Sequence, residues 1–140
     1  MSISDSKKEK LARLALEARA AAYSPYSSFS VGAALLTSDG RVYTGANIEN
    51  ASYTPTICAE RVAFFKAVNA GERDFAAIAI AGGKTGDGAG SYTPPCGVCR
   101  QVMAEFCSDD FEIILASDGG YVTKTLSELL PFGFDKENLT

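Results

Sequence analysis

Histidine is absent from the 140 residues. That excludes Ser-His-Asp and Cys-His catalysis. Proton transfer near neutral pH is left to a tuned carboxylate, thiol, lysine or tyrosine, or to metal-bound water. A zinc site, if there is one, must rest on cysteine and carboxylate ligands. Cations are also scarce: 13 Lys and Arg stand against 17 Asp and Glu, the net charge is −4, and no basic run exceeds Lys7-Lys8. Proteins that bind nucleic-acid polymers need cations to displace counterions from phosphate, so a small neutral ligand is expected instead. No apolar run approaches the ~18 residues of a membrane span. The lysines of MSISDSKKEK have no hydrophobic segment behind them, so no secretory signal is read and a cytoplasmic location is expected.

What remains is an ordinary globular composition, 46% hydrophobic and 21% charged, with length for one domain, taken as 1–140. Residues 6–22 read as an amphipathic helix, with Ser6 and Glu9 at capping-box spacing and an alanine-rich apolar stripe. Phe29 to Leu36 reads as a strand with Gly32 as its weak point, SDG as a hairpin turn, and Arg41 to Ile48 as the returning strand. A second helix is expected from Ile57 to Ala70, with Thr54 before it as cap and Pro55 in the first turn. Val62, Phe65 and Val68 are its expected buried contacts, and Gly71 its end. Phe75 to Ala81 is a continuous apolar run, as in a strand covered on both faces. GGKTGDGAGSYTPP is a glycine-rich loop, but its spacing does not fit a phosphate-binding loop and no helix follows directly. A third helix runs from Cys96 to Cys107, then strands at Phe111 to Ala116 and Tyr121 to Thr125, a short helical turn at LSELL, and a tail. The order α-β-β-α-β-α-β-β predicts an α/β fold: three layers, α/β/α, around a five-stranded mixed sheet.

Four cysteines without an export signal point away from disulfides and towards metal or redox chemistry. Cys96 and Cys99 form CxxC at a helix start, which puts both thiols on one face; alone, this spacing also suits a redox pair or a structural zinc knuckle. Cys58 opens the other helix. Two helices starting at one edge of the sheet would unite three thiolates, stabilised by the helix N-termini. Three ligands leave a fourth tetrahedral position open, the mark of a catalytic zinc. Cys107 lies about 16 Å along the helix from Cys96, too far to join, and is read as a buried core thiol. Glu60, two residues after Cys58, is placed to face metal-bound water; taken alone it would be a surface carboxylate in a helix's first turn.

Cys58-Ala59-Glu60 followed by Pro95-Cys96-Gly97-Val98-Cys99 matches the all-cysteine form of the zinc deaminase pattern. With YSPYSSFSVGAAL, GANIENASY, CAER, PPCGVCRQ and LLPFGF, nearly the full chain resembles the small homotetrameric cytidine deaminases. That resemblance implies one zinc ion per subunit on Cys58, Cys96 and Cys99. It implies Glu60 as the proton carrier in hydrolysis of cytidine and 2′-deoxycytidine, and neighbouring subunits that complete each site. Asn47 and Glu49 would hold the ribose 3′-hydroxyl, although the bare sequence reads them equally as a polar loop. Phe29 would pack near the base and Phe134 would reach it from a neighbour; without the resemblance they read as core and tail anchor. Tyr53 would approach the 5′ end of the sugar, and the Ala59 N–H would meet the base carbonyl. Zn²⁺ with three thiolates is net −1, so Arg61 is expected to return positive charge by hydrogen bonds to the sulfurs, with Gln101 orienting it. Rival readings are a deaminase of a nucleoside antibiotic such as blasticidin S, a non-catalytic zinc-stabilised interaction module, and an RNA- or DNA-editing deaminase.

Overall fold

The computed structural model describes residues 2–140. Its strands are β1 (Phe29–Thr37), β2 (Val42–Ala46), β3 (Phe75–Lys84), β4 (Glu112–Ser117) and β5 (Gly120–Thr125), and its helices are α1 (Asp5–Ala18), α2 (Ala59–Asn69), α3 (Gly97–Phe106) and the short α4 (Leu126–Leu129). The strands form one mixed sheet in the order β2-β1-β3-β4-β5. Only the β3–β4 pair is parallel; β1–β2, β1–β3 and β4–β5 are antiparallel. It follows that β2, β3 and β4 all point the same way. The helices that follow β2 and β3 therefore both begin at one edge of the sheet.

The strand sequences carry the layering. In β3, Ile78 and Ile80 face the core under α2 and α3, while Ala77, Ala79 and Ala81 face α1. Small residues on both sides of that second interface, with Ala12 and Ala15 on the helix, let α1 lie close to the sheet. Gly32 marks the crossing: a Cβ there would run into the Ala15 carbonyl and meet the Arg19 nitrogen at 2.7 Å. It is a contact point rather than a weak point.

Several expected boundaries move. The cap of α1 is Ser4, whose side chain accepts from the Lys7 N–H, and α-helix gives way to a 3-10 turn at Arg19–Ala21. Helix α2 starts later than Thr-Pro implied, with Cys58 as N-cap, because Ile57 is paired back to Ile48 by N–H to carbonyl bonds of 2.9 and 3.0 Å. Its buried residues are Ala59, Glu60, Ala63, Phe64 and Ala67, and Phe65 is 43% exposed. The expected face of Val62, Phe65 and Val68 was thus out of phase. Gly71, at φ 96°, ends the helix as expected, with Gly71 N–H to Val68 and Glu72 N–H to Ala67. Strand β3 continues through Gly82 and Gly83 to Lys84, so the loop begins later than its glycines implied.

Candidate active site and metal centre

Cys58 and Cys96 are the N-caps of α2 and α3, and neither side chain caps its helix. The first N–H groups of each helix have no intrahelical partner, so two positive helix ends converge on the sulfurs. Cys99 lies one turn into α3 and is buried. The three sulfurs lie within 4.8 Å of one another, with 3.7 Å from Cys58 to Cys96 and 3.5 Å from Cys96 to Cys99. A tetrahedral zinc with ~2.3 Å bonds sets its sulfurs about 3.8 Å apart, so the trio fits zinc in donor type and in spacing. Cys107 is outside it, half-buried rather than fully buried, with its thiol pushed up to about 12 by burial.

Inside the trio, the closeness of Cys58 and Cys99 divides the charge. Their interaction, with help from Arg61 and Cys96, outweighs burial and pulls Cys58 down to about 5; the same interaction, with burial, pushes Cys99 up. Arg61 reaches Cys58 Sγ at 3.5 Å through a terminal guanidinium nitrogen, and its buried Nε has no partner among the described residues. Gln101 does not play the orienting part expected of it. Its amide donates instead to the Phe134 carbonyl at 2.7 Å.

Glu60 is 4% exposed and stands in the first turn of α2. Burial lifts its pKa to about 7, and the Cys58 charge adds to the rise. It shares a cleft of about 170 Å³ with Val31, Asn47, Thr56, Cys58, Ala59, Thr93 and Cys96. A second cleft of about 240 Å³, with Glu49 and Tyr53 in its wall, adjoins it at Thr56. A larger cavity, about 400 Å³, lies at the far end of α3 beside Cys107 and the tail, away from the sulfur trio.

Asn47 and Glu49 are more than loop polarity. The Asn47 amide accepts from Val31 N–H and donates to the Phe29 carbonyl, each at 2.9 Å. Glu49 accepts from the Tyr26 and Ser27 N–H groups and from the Ser27 hydroxyl, and is held below the usual carboxylate range chiefly by that hydroxyl. Phe29 is half-exposed, not core; its ring edge and Thr93 crowd Gly82 from one side. Tyr53 sits at φ 64° and meets Tyr26 edge-on at 6.5 Å. Phe134 is 59% exposed on the tail. Thr56 and Thr93, which also line the Glu60 cleft and lie shortly before Cys58 and Cys96, had no expected role.

The chain matches the model for the cytidine and deoxycytidylate deaminase zinc-binding region over residues 5–115. It is 50% identical over 133 residues to a cytidine deaminase of Halalkalibacterium halodurans, covering 94% of this chain and 97% of that one. It is 48% identical to that of Sporosarcina psychrophila, covering 94% of each. The crystal structure of a cytidine deaminase from Burkholderia pseudomallei superposes with a TM-score of 0.83 at 44% identity, covering 94% of this chain and 100% of that one.

Proposed function

This chain belongs to the cytidine and deoxycytidylate deaminase family, and from that premise we propose that it hydrolyses cytidine and 2′-deoxycytidine to uridine and 2′-deoxyuridine, releasing ammonia. The observation that carries this reading is the buried Glu60 side chain lining the same cleft as Cys58 and Cys96 of the sulfur trio. Bound to Cys58, Cys96 and Cys99, zinc supplies Lewis-acid activation of a water molecule. Glu60 would take one proton from that water and pass it to N3 of the cytosine ring as the water oxygen adds to C4. It would then take the second proton, from the new C4 hydroxyl, and deliver it to the exocyclic amine, so that the C4–N bond breaks, ammonia leaves and the C4 carbonyl forms. A carboxyl with a pKa of about 7 both accepts and donates near neutrality, which is what such a carrier needs. Arg61, at the Cys58 sulfur, offsets the net negative charge of a dication with three thiolates.

The ribose is held by Asn47 and Glu49. Each keeps hydrogen-bonding capacity beyond the contacts that fix it: Asn47 uses one of its two N–H donors, and Glu49 uses three of about four acceptor sites. Phe29 packs near the base, the Ala59 N–H meets its carbonyl, and Tyr53 stands at the 5′ end. Residues 1–140 act as one catalytic domain in the cytoplasm, assembled as a homotetramer in which Phe134 reaches a neighbour's site. The exposure of Phe134 and Phe65 supports an assembly, and sedimentation analysis that finds only monomer at micromolar concentration would remove that part.

Incubation of zinc-replete protein with cytidine, deoxycytidine, cytosine and blasticidin S, followed by ultraviolet absorbance, tests the activity. The two nucleosides are expected to turn over and the free base and antibiotic to lag far behind. Glu60→Gln is expected to lower kcat about 10²–10⁴-fold, the usual worth of a positioned acid–base group. Absence of turnover with either nucleoside would sink the reading.

A further inference from the structure

Arg100 follows Cys99 directly, and the reaction above gives it no part. Its Nε donates to the Pro95 carbonyl at 2.8 Å and a terminal nitrogen donates to the Leu129 carbonyl at 2.6 Å. Pro95 is buried and leads into Cys96; Leu129 is the last residue of α4. One guanidinium therefore ties the entrance of the sulfur trio to the start of the tail.

Cys96 needs such a tie more than the other two ligands. Cys99 is inside α3 and 1% exposed. Cys58 follows Ile57, which is bonded both ways to Ile48. Cys96 is exposed and sits on extended backbone outside its helix, at φ −68° and ψ 166°. The two residues before it are Pro94 and Pro95, which carry no N–H. That segment can be pinned only by its carbonyls, and the Pro95 carbonyl is the one gripped. The planar fork of arginine suits two carbonyls at once, whereas the ammonium of lysine is a single point charge on a flexible stem.

We propose that Arg100 is a positioning residue: by bridging the Pro95 and Leu129 carbonyls it fixes the Cys96 sulfur and so sets how tightly the trio retains zinc. The inference rests on the zinc-centred reading given above. The test compares zinc-loaded wild type with Arg100→Gln, Arg100→Lys and Arg73→Gln. Arg73 is a matched control because its guanidinium also bonds two carbonyls, those of Val68 and Glu72, at the end of α2 remote from the sulfurs. Zinc transfer to a chromophoric chelator is expected to be at least tenfold faster from R100Q, within the ~10–100-fold typical of groups that orient metal ligands. R100K should fall between R100Q and wild type, and R73Q should match wild type. In cobalt-substituted protein, the thiolate-to-metal charge-transfer bands should shift in R100Q and not in R73Q. Wild-type release rates and cobalt spectra in R100Q and R100K would overturn the inference, even if both variants melt earlier. Should R100Q not fold, R100K decides by the same two readouts. Failure of the wild-type chain to take up zinc would overturn the zinc reading instead.

Discussion

Gly45→Ala is expected to damage the site from behind. Gly45 lies on β2, paired with Ala33 of β1, directly beneath the first two turns of α2. A Cβ there would stand 2.5 Å from the Ala59 carbonyl and 2.6 Å from the Ala63 nitrogen. Both are backbone atoms, so no side chain can swing aside. Restoring contact near 3.4 Å requires the helix to lift by roughly 0.9 Å, and overpacking of this kind typically costs about 1–3 kcal/mol. The turn that lifts begins at Cys58 and carries Glu60. A displacement of about 1 Å at reacting groups can cost on the order of 10²-fold in rate. Gly32→Ala supplies the contrast, because it clashes with α1 on the opposite face of the sheet; Gly90→Ala, with nothing within 4 Å of its new Cβ, supplies the baseline. Urea midpoints, zinc content and kcat measured on all three should show G45A and G32A both destabilised, with only G45A losing kcat. A G45A protein with wild-type midpoint and turnover would refute the packing argument. Equal kcat losses in G32A and G45A would refute the positional one.

Other expectations are more local. Arg61→Gln should lower zinc retention and kcat together by at least tenfold, in line with the ~10–100-fold typical of groups around a metal's ligands; unchanged zinc content and kcat would remove the charge-balancing role. Cys107→Ala should keep one zinc per chain by atomic absorption and Cys99→Ala should not, because only the latter removes a sulfur from the trio. Glu112, in an ion pair of 3.1 Å with Lys8 and bonded to Ile3 N–H and Ser2 Oγ, is pushed up by burial but drawn further down by these partners, so its folded pKa lies below its usual value. The stability it contributes is present above the unfolded carboxyl pKa of about 4.3 and is lost as pH falls through the lower folded value. Glu112→Gln should therefore cost about 1.5–3 kcal/mol at pH 7, the worth of hydrogen bonds to a charged group, and less once the pH has fallen through the folded value. Unfolding midpoints that run parallel for the two proteins from pH 7 to 3 would contradict this.

The sulfur trio and Glu60 were legible because chemistry restricts them: without histidine, few residue sets can hold zinc, and the spacing of Cys58, Cys96 and Cys99 survives in any fold that starts both helices at one edge. The element order was legible because turn residues separate the apolar runs. The phase of α2 was not, since VAFFKAV is apolar at nearly every position. The buried face is filled by the small Ala59, Ala63 and Ala67 with Phe64, and the helix lies close enough to the sheet for a Cβ on Gly45 to meet Ala59, Val62 and Ala63, a contact that the helix's own sequence does not announce. The start of α2 was misplaced for a similar reason: Thr54 and Pro55 have good cap chemistry, but the Ile48–Ile57 pairing holds the chain extended up to Cys58. Gln101 illustrates the remaining gap, for its partner is 33 residues away on the tail and nothing local announces it.

Ser, Thr, Asp or Asn at a helix N-cap is ordinarily worth about 1 kcal/mol over a residue that cannot accept the N–H bond. Here both cap positions are given to sulfur that accepts from no backbone N–H of its own helix. The chain thus leaves the opening turns of α2 and α3 unfinished as secondary structure, and the ion that draws Cys58 and Cys96 together is also what fastens them. Metal affinity and the local stability of those two turns are then one quantity seen from two sides. Amide hydrogen exchange in residues 59–62 and 97–100 should slow together as zinc is titrated in.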